Sequence, residues 1–344
     1  MSLTFPFRHT TPATHWDEEG DVDARALVDA VDGPVLLVSS SGGHLAELVR
    51  LVENWGLGRE RRHWCVPRTT QTEGALAGEA VSWAPPVESR QLGRAGLNFS
   101  TAQAVHHRVR PRLVVSAGAA QAVPHLVVAA LHRTPIVYVE SVARLDGPSL
   151  TGRVAMHLPG AHLFNQAGAW DGRWMPTDDV YSGMRVVAHD RPRGGVRRAV
   201  VALGTEHFGF GRAVEQALVA LAECPQITWQ VGTTDYEVGG SQLQRWLAPQ
   251  RLAAAMRGSD AVVVHGGAGS ILAALESGHV PIAVARTARW SEHCDDHQLR
   301  MCESLAERGL CVLVRPDERL GHEHLEQVVG VRVETGGAAS SRAS

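Results

Sequence analysis

The chain has 344 residues, of which 44% are hydrophobic and 20% are charged, and its formal net charge is −3. This length predicts about two domains, and the charge lacks the basic excess that nucleic-acid binding requires. The five cysteines are widely spaced without a Cys-x-x-Cys, which argues against a disulfide framework or a zinc knuckle and favours a reducing, cytoplasmic setting.

The first half of the chain shows strands alternating with helices. Residues 1–32 are acidic and aperiodic, without a signal-peptide core, and are expected to form a flexible leader with one short helix near 24–31. An apolar strand pattern at Val35–Val38 then leads through a glycine turn into a helix pattern at Leu45–Val52. Further strand patterns follow at 63–66, 81–83, 113–116, 136–140 and 162–164. This spacing predicts a parallel, doubly wound α/β sheet.

The second half repeats the same alternation. The pattern lapses at 189–198, which predicts a linker between an N-terminal domain at 33–188 and a C-terminal domain at 199–335. Strands are predicted at 199–203, 227–231, 261–264, 281–285 and 311–314, with helices at 212–223, 270–276 and 295–308. Residues 336–344 are small and polar and are expected to be a disordered tail.

The stretch Val262–Leu272 is the most informative, because an apolar strand ends in a glycine turn that runs directly into a helix. Unpaired N–H groups and the helix dipole make such a turn a site for a diphosphate, although similar turns also occur merely to close the chain. A dinucleotide fingerprint is incomplete, since Leu272 stands at the place of its third glycine, and no Walker motif is present. The cluster His293–His297 contains metal-ligand residue types, but its position at a helix start favours capping.

Ligands of open α/β sheets lie beyond the carboxyl ends of the strands. If two such domains face each other, a ligand-binding cleft is expected between their turns. The turns that would line it are 39–44, 116–120, 204–205 and 265–270.

These motifs resemble those of a known enzyme family. Residues 35–165 resemble the acceptor-binding, membrane-recruiting subunit of the two-subunit N-acetylglucosaminyltransferase that adds the second sugar of the dolichol-linked oligosaccharide. The matching pieces are Ser40-Ser41-Gly42-Gly43-His44, Ser116-Ala117-Gly118, Glu140-Ser141-Val142-Ala143-Arg144 and Ser149-Leu150-Thr151-Gly152-Arg153. Residues 199–314 resemble its catalytic, donor-binding subunit through Gly204-Thr205, His265 to Leu272 and Asp296-His297-Gln298.

Both halves in one chain resemble fused bacterial enzymes of exopolysaccharide synthesis and, more distantly, the lipid II-forming N-acetylglucosaminyltransferase of family 28. The resemblance implies the GT-B fold, in which two Rossmann-like domains with parallel sheets face each other. It also implies an inverting hexosyltransferase that moves a sugar of the GlcNAc, Glc or GlcA class from a UDP-sugar to a hydroxyl of a lipid-linked or polysaccharide acceptor. No metal or other cofactor is implied, and the expected location is the cytoplasm, with peripheral contact at the inner face of the plasma membrane as a further expectation.

The resemblance also assigns roles to residues. The diphosphate is expected at His265, Gly266, Gly267, Ala268, Gly269 and Ser270, bordered by Gly204 and Thr205, and the sugar hydroxyls are expected at Asp296, His297 and Gln298. The acceptor side comprises Ser41, Gly42, Gly43, Gly118 and Arg144. His44 and Glu140 are the candidate bases. Their structural alternatives are a helix-start residue bonded to a neighbouring strand for His44 and an ion-pair partner of Arg144 or Arg153 for Glu140.

One position departs from the family pattern, because Ala273 stands where the family carries a ribose-binding glutamate. Glu276 lies one helical turn further on and is the expected replacement.

Two other functions stay open: a nucleotide-sugar 2-epimerase of the same fold, and a non-catalytic nucleotide-sugar-binding subunit, for which Ala273 is the only hint. A peripheral membrane contact is expected around Arg90, Leu92, Arg94, Leu97 and Phe99, with an ordinary loop as the alternative.

Overall fold

The structure, a computed structural model, describes residues 23–87, 98–168, 170, 172–190, 195–204, 209–238, 241–290, 292 and 296–335. Residues 1–22 of the predicted leader, 191–194 of the predicted linker and the predicted tail 336–344 lie outside this part of the chain. The short helix expected near 24–31 is confirmed as α1 (Ala24–Asp29).

The N-terminal domain is built on a seven-stranded parallel sheet with the strand order β3-β2-β1-β4-β5-β6-β7. Its strands are β1 (Val35–Val38), β2 (Arg62–Pro67), β3 (Val81–Ala84), β4 (Leu113–Ser116), β5 (Ile136–Val139), β6 (Ala161–Asn165) and β7 (Trp174–Pro176). Val35 and Leu37 enter one buried cluster while Leu36 and Val38 enter another. Because successive side chains of a strand point to opposite faces, β1 is buried on both sides, as its all-apolar sequence predicts.

The helices of this domain are α2 (Gly43–Asn54), α3 (Thr70–Ala75), α4 (Phe99–Val109), α5 (Val123–Leu131) and α6 (Leu150–Ala155). Helix α2 follows β1 after the glycine turn and buries Leu45, Leu48, Leu51 and Val52 along one face, in agreement with the predicted periodicity. The strand order reverses between β1 and β4. In open α/β sheets this switch point is where ligands bind.

The C-terminal domain contains a five-stranded parallel sheet with the order β10-β9-β13-β14-β15. Its strands are β9 (Arg198–Ala202), β10 (Gln226–Gln230), β13 (Ala261–His265), β14 (Ile282–Val284) and β15 (Val312–Val314). Its helices are α7 (Gly211–Ala220), α8 (Pro249–Arg257), α9 (Ala268–Glu276), α10 (His297–Glu307) and α11 (His322–Val328). Here the order reverses between β9 and β13, which places a second switch point beside the turn that follows His265.

Two small antiparallel sheets complete the domain and were not predicted. Strand β8 (Met184–Ala188) pairs with β16 (Val331–Thr335), and β11 (Glu237–Val238) pairs with β12 (Ser241–Gln242). The sequence did not indicate the β8–β16 pair because its strands lie at opposite ends of the C-terminal half of the chain.

The domains meet along α2 and α9. A Cβ atom added at Gly269 would lie 3.0 Å from Gly43 Cα, so the two helix starts touch. Further along both helices, Arg50 Nη1 lies 3.9 Å from Glu276 Oε1. The two helices therefore run side by side in the same direction, and their N-terminal ends face the same region of the molecule.

Candidate active site

His44 lies at the switch point of the N-terminal sheet, in the first turn of α2. Its Nδ1 is 3.0 Å from the carbonyl oxygen of Ala117, which follows β4. A carbonyl oxygen only accepts hydrogen bonds, so Nδ1 must donate, and the neutral ring then carries its lone pair on Nε2. The sequence analysis offered a bond from His44 to a neighbouring strand as the alternative to a catalytic role, and this bond is present. It leaves Nε2 unprotonated, which is the tautomer that a general base needs.

Gly118 provides the space for this ring. Its φ is 110°, a conformation that favours glycine, and an added Cβ would lie 3.3 Å from His44 Cε1 and 3.4 Å from the Tyr138 hydroxyl. The loop on the other side, Ser41-Gly42-Gly43, turns through Gly42 with a φ of 81°, and the Gly42 N–H donates to Gln71 Oε1 at 3.1 Å. The acceptor-side glycines thus shape the space around His44.

Glu140, the second candidate base, has a different environment. Its side chain is buried, and its carboxylate accepts from Ser149 N (2.9 Å), Ser149 Oγ (3.0 Å), Tyr138 Oη (3.3 Å) and Ser141 N (3.3 Å). It also packs against Gly152, where a Cβ would overlap Oε2. Burial raises the pKa of Glu140, and these donors oppose that shift. The carboxylate anchors its own loop rather than pairing with Arg144 or Arg153 as the sequence suggested, and the geometry favours His44 as the base.

Arg144 follows Glu140 in the same loop, with a half-buried side chain. Its charge lies close enough to Tyr138 to oppose the rise that burial causes in the Tyr138 pKa. Among the described residues, no carboxylate forms an ion pair with this guanidinium. An arginine in this position is available to an anionic ligand.

The predicted diphosphate turn lies at the switch point of the C-terminal sheet. Strand β13 ends at His265, and α9 begins at Ala268 with Gly267 as its N-cap, so no side chain caps the helix. Ser270 N and Ile271 N already bond to Gly267 O, which leaves the N–H groups of Ala268 and Gly269 at the open end. This end satisfies the requirements of an anion site.

The glycines of this turn are explained by packing. The His265 ring is buried between Gly204 and Gly267, and a Cβ at either glycine would overlap it. Gly204 also has a φ of 78°. A Cβ at Gly266 would lie 2.9 Å from Cys302 Sγ and 3.3 Å from Ala285 Cα. His265 therefore acts as a spacer that fixes the distance between the turn after β9 and the turn after β13.

The residues expected at the donor sugar lie at the start of α10. Asp296 is exposed, and its Oδ1 accepts from Ala288 N at 2.9 Å. His297 is half-buried, and Gln298 is buried with no hydrogen-bond partner for its Oε1 among the described residues. Such an acceptor suits a hydroxyl of a ligand. Thr205 and residues 293–295 of the possible metal cluster lie outside the described residues, and the described ones contain no group of three or more metal-ligand side chains.

Glu276 lies far from the diphosphate turn. It is the last residue of α9, seven residues beyond Gly269, or about 10 Å along the helix axis. Its carboxylate faces Arg50 of the other domain at 3.9 Å. Burial raises the pKa of Glu276, and Arg50 opposes this shift. The arrangement favours a cross-domain ion pair over the ribose contact expected from the sequence, and half-buried Ala273 has no carboxylate to offer.

Sequence reasoning missed several residues of this site. Arg286 is fully buried, donates to the carbonyls of Leu203 (3.1 Å) and Glu292 (3.3 Å), and lies 4.5 Å from the Phe210 ring. Arg212 binds both carboxylate oxygens of Glu292, at 2.9 and 2.8 Å. These contacts join loops that are far apart in sequence, so no local pattern indicates them.

Glu47 was missed although it follows His44 by three residues, a spacing that places both on one helix face.

None of the described helices has the length and hydropathy that a membrane span requires. The predicted membrane-contact residues Arg90, Leu92, Arg94 and Leu97 lie outside the described residues, whereas Phe99 is 37% exposed at the start of α4.

Comparisons with known proteins agree with this architecture. Residues 198–330 match the glycosyltransferase family 28 C-terminal domain. The UDP-N-acetylglucosamine transferase subunit ALG14 of Rattus norvegicus is 28% identical over 153 residues, which cover 36% of this chain and 71% of that protein. Among solved structures, spinosyn forosaminyltransferase SpnP has a TM-score of 0.57 at 13% identity, covering 85% of this chain and 88% of its own. The S. aureus MnaA–UDP co-structure has a TM-score of 0.52 at 12% identity, covering 90% and 94%. At these identities the solved structures establish a shared fold.

Proposed function

We propose that the protein is an inverting glycosyltransferase, because residues 198–330 match the glycosyltransferase family 28 C-terminal domain and the whole chain has the GT-B fold. It moves a sugar from a UDP-sugar to a hydroxyl group of an acceptor. Two comparisons support this donor: the MnaA structure is a complex with UDP, and the name of the similar ALG14 subunit specifies UDP-N-acetylglucosamine. UDP-N-acetylglucosamine is therefore the first donor to test, with the Glc and GlcA analogues beside it.

The observation that carries the proposal is the meeting of the two switch-point turns. Gly43, next to His44, touches Gly269 of the diphosphate turn across the domain boundary. Tyr181 adds a second link, because its hydroxyl donates to Ala268 O at 3.4 Å. A base with its lone pair on Nε2 thus lies near a helix end that suits a leaving diphosphate.

This arrangement supports the following reaction. His44 Nε2 accepts the proton of the acceptor hydroxyl while that oxygen forms a bond to the anomeric carbon of the donor sugar. The bond from this carbon to the diphosphate oxygen breaks on the opposite face, so the configuration inverts and UDP leaves. Negative charge grows on the diphosphate as the bond breaks, and the open N–H groups of α9 stabilise it in the transition state. Gln298 Oε1 is available to accept from a donor hydroxyl.

The acceptor is proposed to carry a phosphate group, as a lipid-linked sugar does. Arg144 supports this, because it lies beside Tyr138 and has no carboxylate partner among the described residues. A lipid-linked acceptor places the protein peripherally at the inner face of the plasma membrane, in exopolysaccharide synthesis. Flotation with anionic liposomes at low salt tests this location, and a protein that stays at the bottom of the gradient would argue against it.

Transfer of labelled sugar from UDP-N-acetylglucosamine into a bacterial lipid extract tests the activity. We expect His44→Ala to lower kcat by about 10²- to 10⁴-fold and to leave UDP affinity nearly unchanged, since the donor site is on the other domain. His107→Ala, at an exposed histidine of the same domain, is the matched control. Conversion of UDP-sugar without any acceptor would indicate the 2-epimerase instead. UDP binding without turnover in either assay would indicate the non-catalytic subunit.

A further inference from the structure

Glu47 is a buried carboxylate in the helix that carries His44. Its side chain is 1% exposed, and three donors surround it: Ser141 Oγ at 2.8 Å, Val142 N at 3.1 Å and Gln166 Nε2 at 3.3 Å. An ionised carboxylate accepts all three of these hydrogen bonds, so the polar environment compensates part of the cost of burying its charge.

The three donors come from the loops that follow β5 and β6. Gln166 also donates to Glu140 O at 3.0 Å and accepts from Val180 N at 2.9 Å. Glu47 is thus the point at which α2 is tied to the acceptor-side loop and to the chain leading to Tyr181. His44 lies one helical turn earlier on the same helix.

We infer that Glu47 is a positioning residue for the reaction: it fixes the first turn of α2 against the acceptor-side loop and supplies a negative charge beside the imidazolium that His44 forms. The inference rests on the proposed function for the role of His44 as the base. It concerns a residue that touches neither substrate, so its effect reaches the reaction through His44.

Electrostatics support the charge component. Burial raises the pKa of Glu47, and the proximity of His44 is the largest influence that opposes this shift. Opposite charges on neighbouring side chains attract each other more strongly where burial excludes water. Two other ionisable groups lie close to this pair: Glu140, after β5, is near His44, and Tyr181 is near Glu47. Burial raises the pKa of Tyr181, and the Glu47 charge raises it further. Tyr138 on β5 bonds to Glu140, and Arg144 lies close to Tyr138.

The test observes the environment of His44 separately from catalysis. Histidine ring carbons are labelled with ¹³C, the His44 signal is assigned by its absence in His44→Gln, and its chemical shift is compared by NMR in the wild type and in Glu47→Gln. Loss of the Glu47 carboxylate should move the His44 signal, because the charge beside the ring is removed and the first turn of α2 is released from the acceptor-side loop. Glu47→Asp retains the charge and should return the signal most of the way to its wild-type position. Glu53→Gln makes the same charge change at an exposed position of α2 and should leave the signal in place.

The transfer assay supplies the second readout. We expect kcat to fall by about 10- to 100-fold in Glu47→Gln with unchanged UDP affinity, and Glu47→Asp to recover most of this loss. A His44 signal that does not move in a folded Glu47→Gln protein would overturn the inference, whatever happens to the rate. A moved signal in a protein for which His44→Ala has no effect on transfer would retain the coupling and reject His44 as the base.

Discussion

Substitution of Gly267 by alanine tests whether His265 is the spacer between the two donor-side turns. Gly267 has a φ of −86° and a ψ of 137°, which any L-residue adopts, so the change introduces no backbone strain. The added Cβ would overlap His265 Nε2 and would lie 3.0 Å from Cδ2 and 3.1 Å from Cε1. The ring cannot retreat freely, because Gly204 lies against it as well.

The magnitude follows from two opposing effects. Overpacking a buried site costs about 1–3 kcal/mol. Replacement of glycine by alanine at a compatible backbone position contributes about 0.4–1 kcal/mol of stability through the unfolded state. The clash is the larger effect, and the midpoints of the two ranges give an expected net loss of about 1.3 kcal/mol in the free energy of unfolding. UDP affinity should fall by about tenfold if the turn moves enough to cost ~1.4 kcal/mol in binding.

Urea denaturation and calorimetric UDP titration measure these two quantities. Gly211→Ala is the matched control, because an added Cβ there meets no atom within 4 Å and the residue begins α7. His265→Ala combined with Gly267→Ala removes the ring that clashes, so the double variant should lose less stability than the sum of the two single variants. A Gly267→Ala protein that unfolds and binds UDP like the wild type would refute the spacer role.

Two further predictions concern ionisable side chains. Glu276→Ala should change UDP affinity less than twofold and lower the free energy of unfolding by under about 1 kcal/mol, since Arg50 lies at 3.9 Å and the glutamate side chain is 42% exposed. A tenfold loss of UDP affinity that Ala273→Glu restores would return the ribose role to this helix. Burial lowers the pKa of His125 in the native state to about 4. Below pH 6.5, the ordinary pKa of a histidine, the unfolded chain therefore takes up a proton at this position while the native side chain stays neutral. Between about pH 7.5 and pH 5, the free energy of unfolding should therefore fall by about 2 kcal/mol more in the wild type than in His125→Gln, as measured by urea denaturation. Equal pH dependences in the two proteins would contradict this account.

The amino-acid sequence by itself determined the α/β architecture, and the family resemblance of its motifs implied the GT-B fold. Apolar runs such as Val35–Val38 and Ala261–Val264 form parallel strands because parallel sheets are buried on both faces. The glycine turns after them lead into α2 and α9, as predicted, because the helix periodicity begins directly after each turn. These features are local, so a few neighbouring residues suffice to specify them.

The tertiary structure decided which side chains meet. The sequence left both His44 and Glu140 as candidate bases, and the donors that surround Glu140 became visible only in the structure. Glu276 faces Arg50 instead of the diphosphate turn because α2 and α9 pack side by side. Glu47 bonds to Ser141, which is 94 residues away in the chain. Hydrogen bonds and ion pairs act over a few ångströms in space, and the order of strands in the two sheets, which no local pattern encodes, brings these groups within that range.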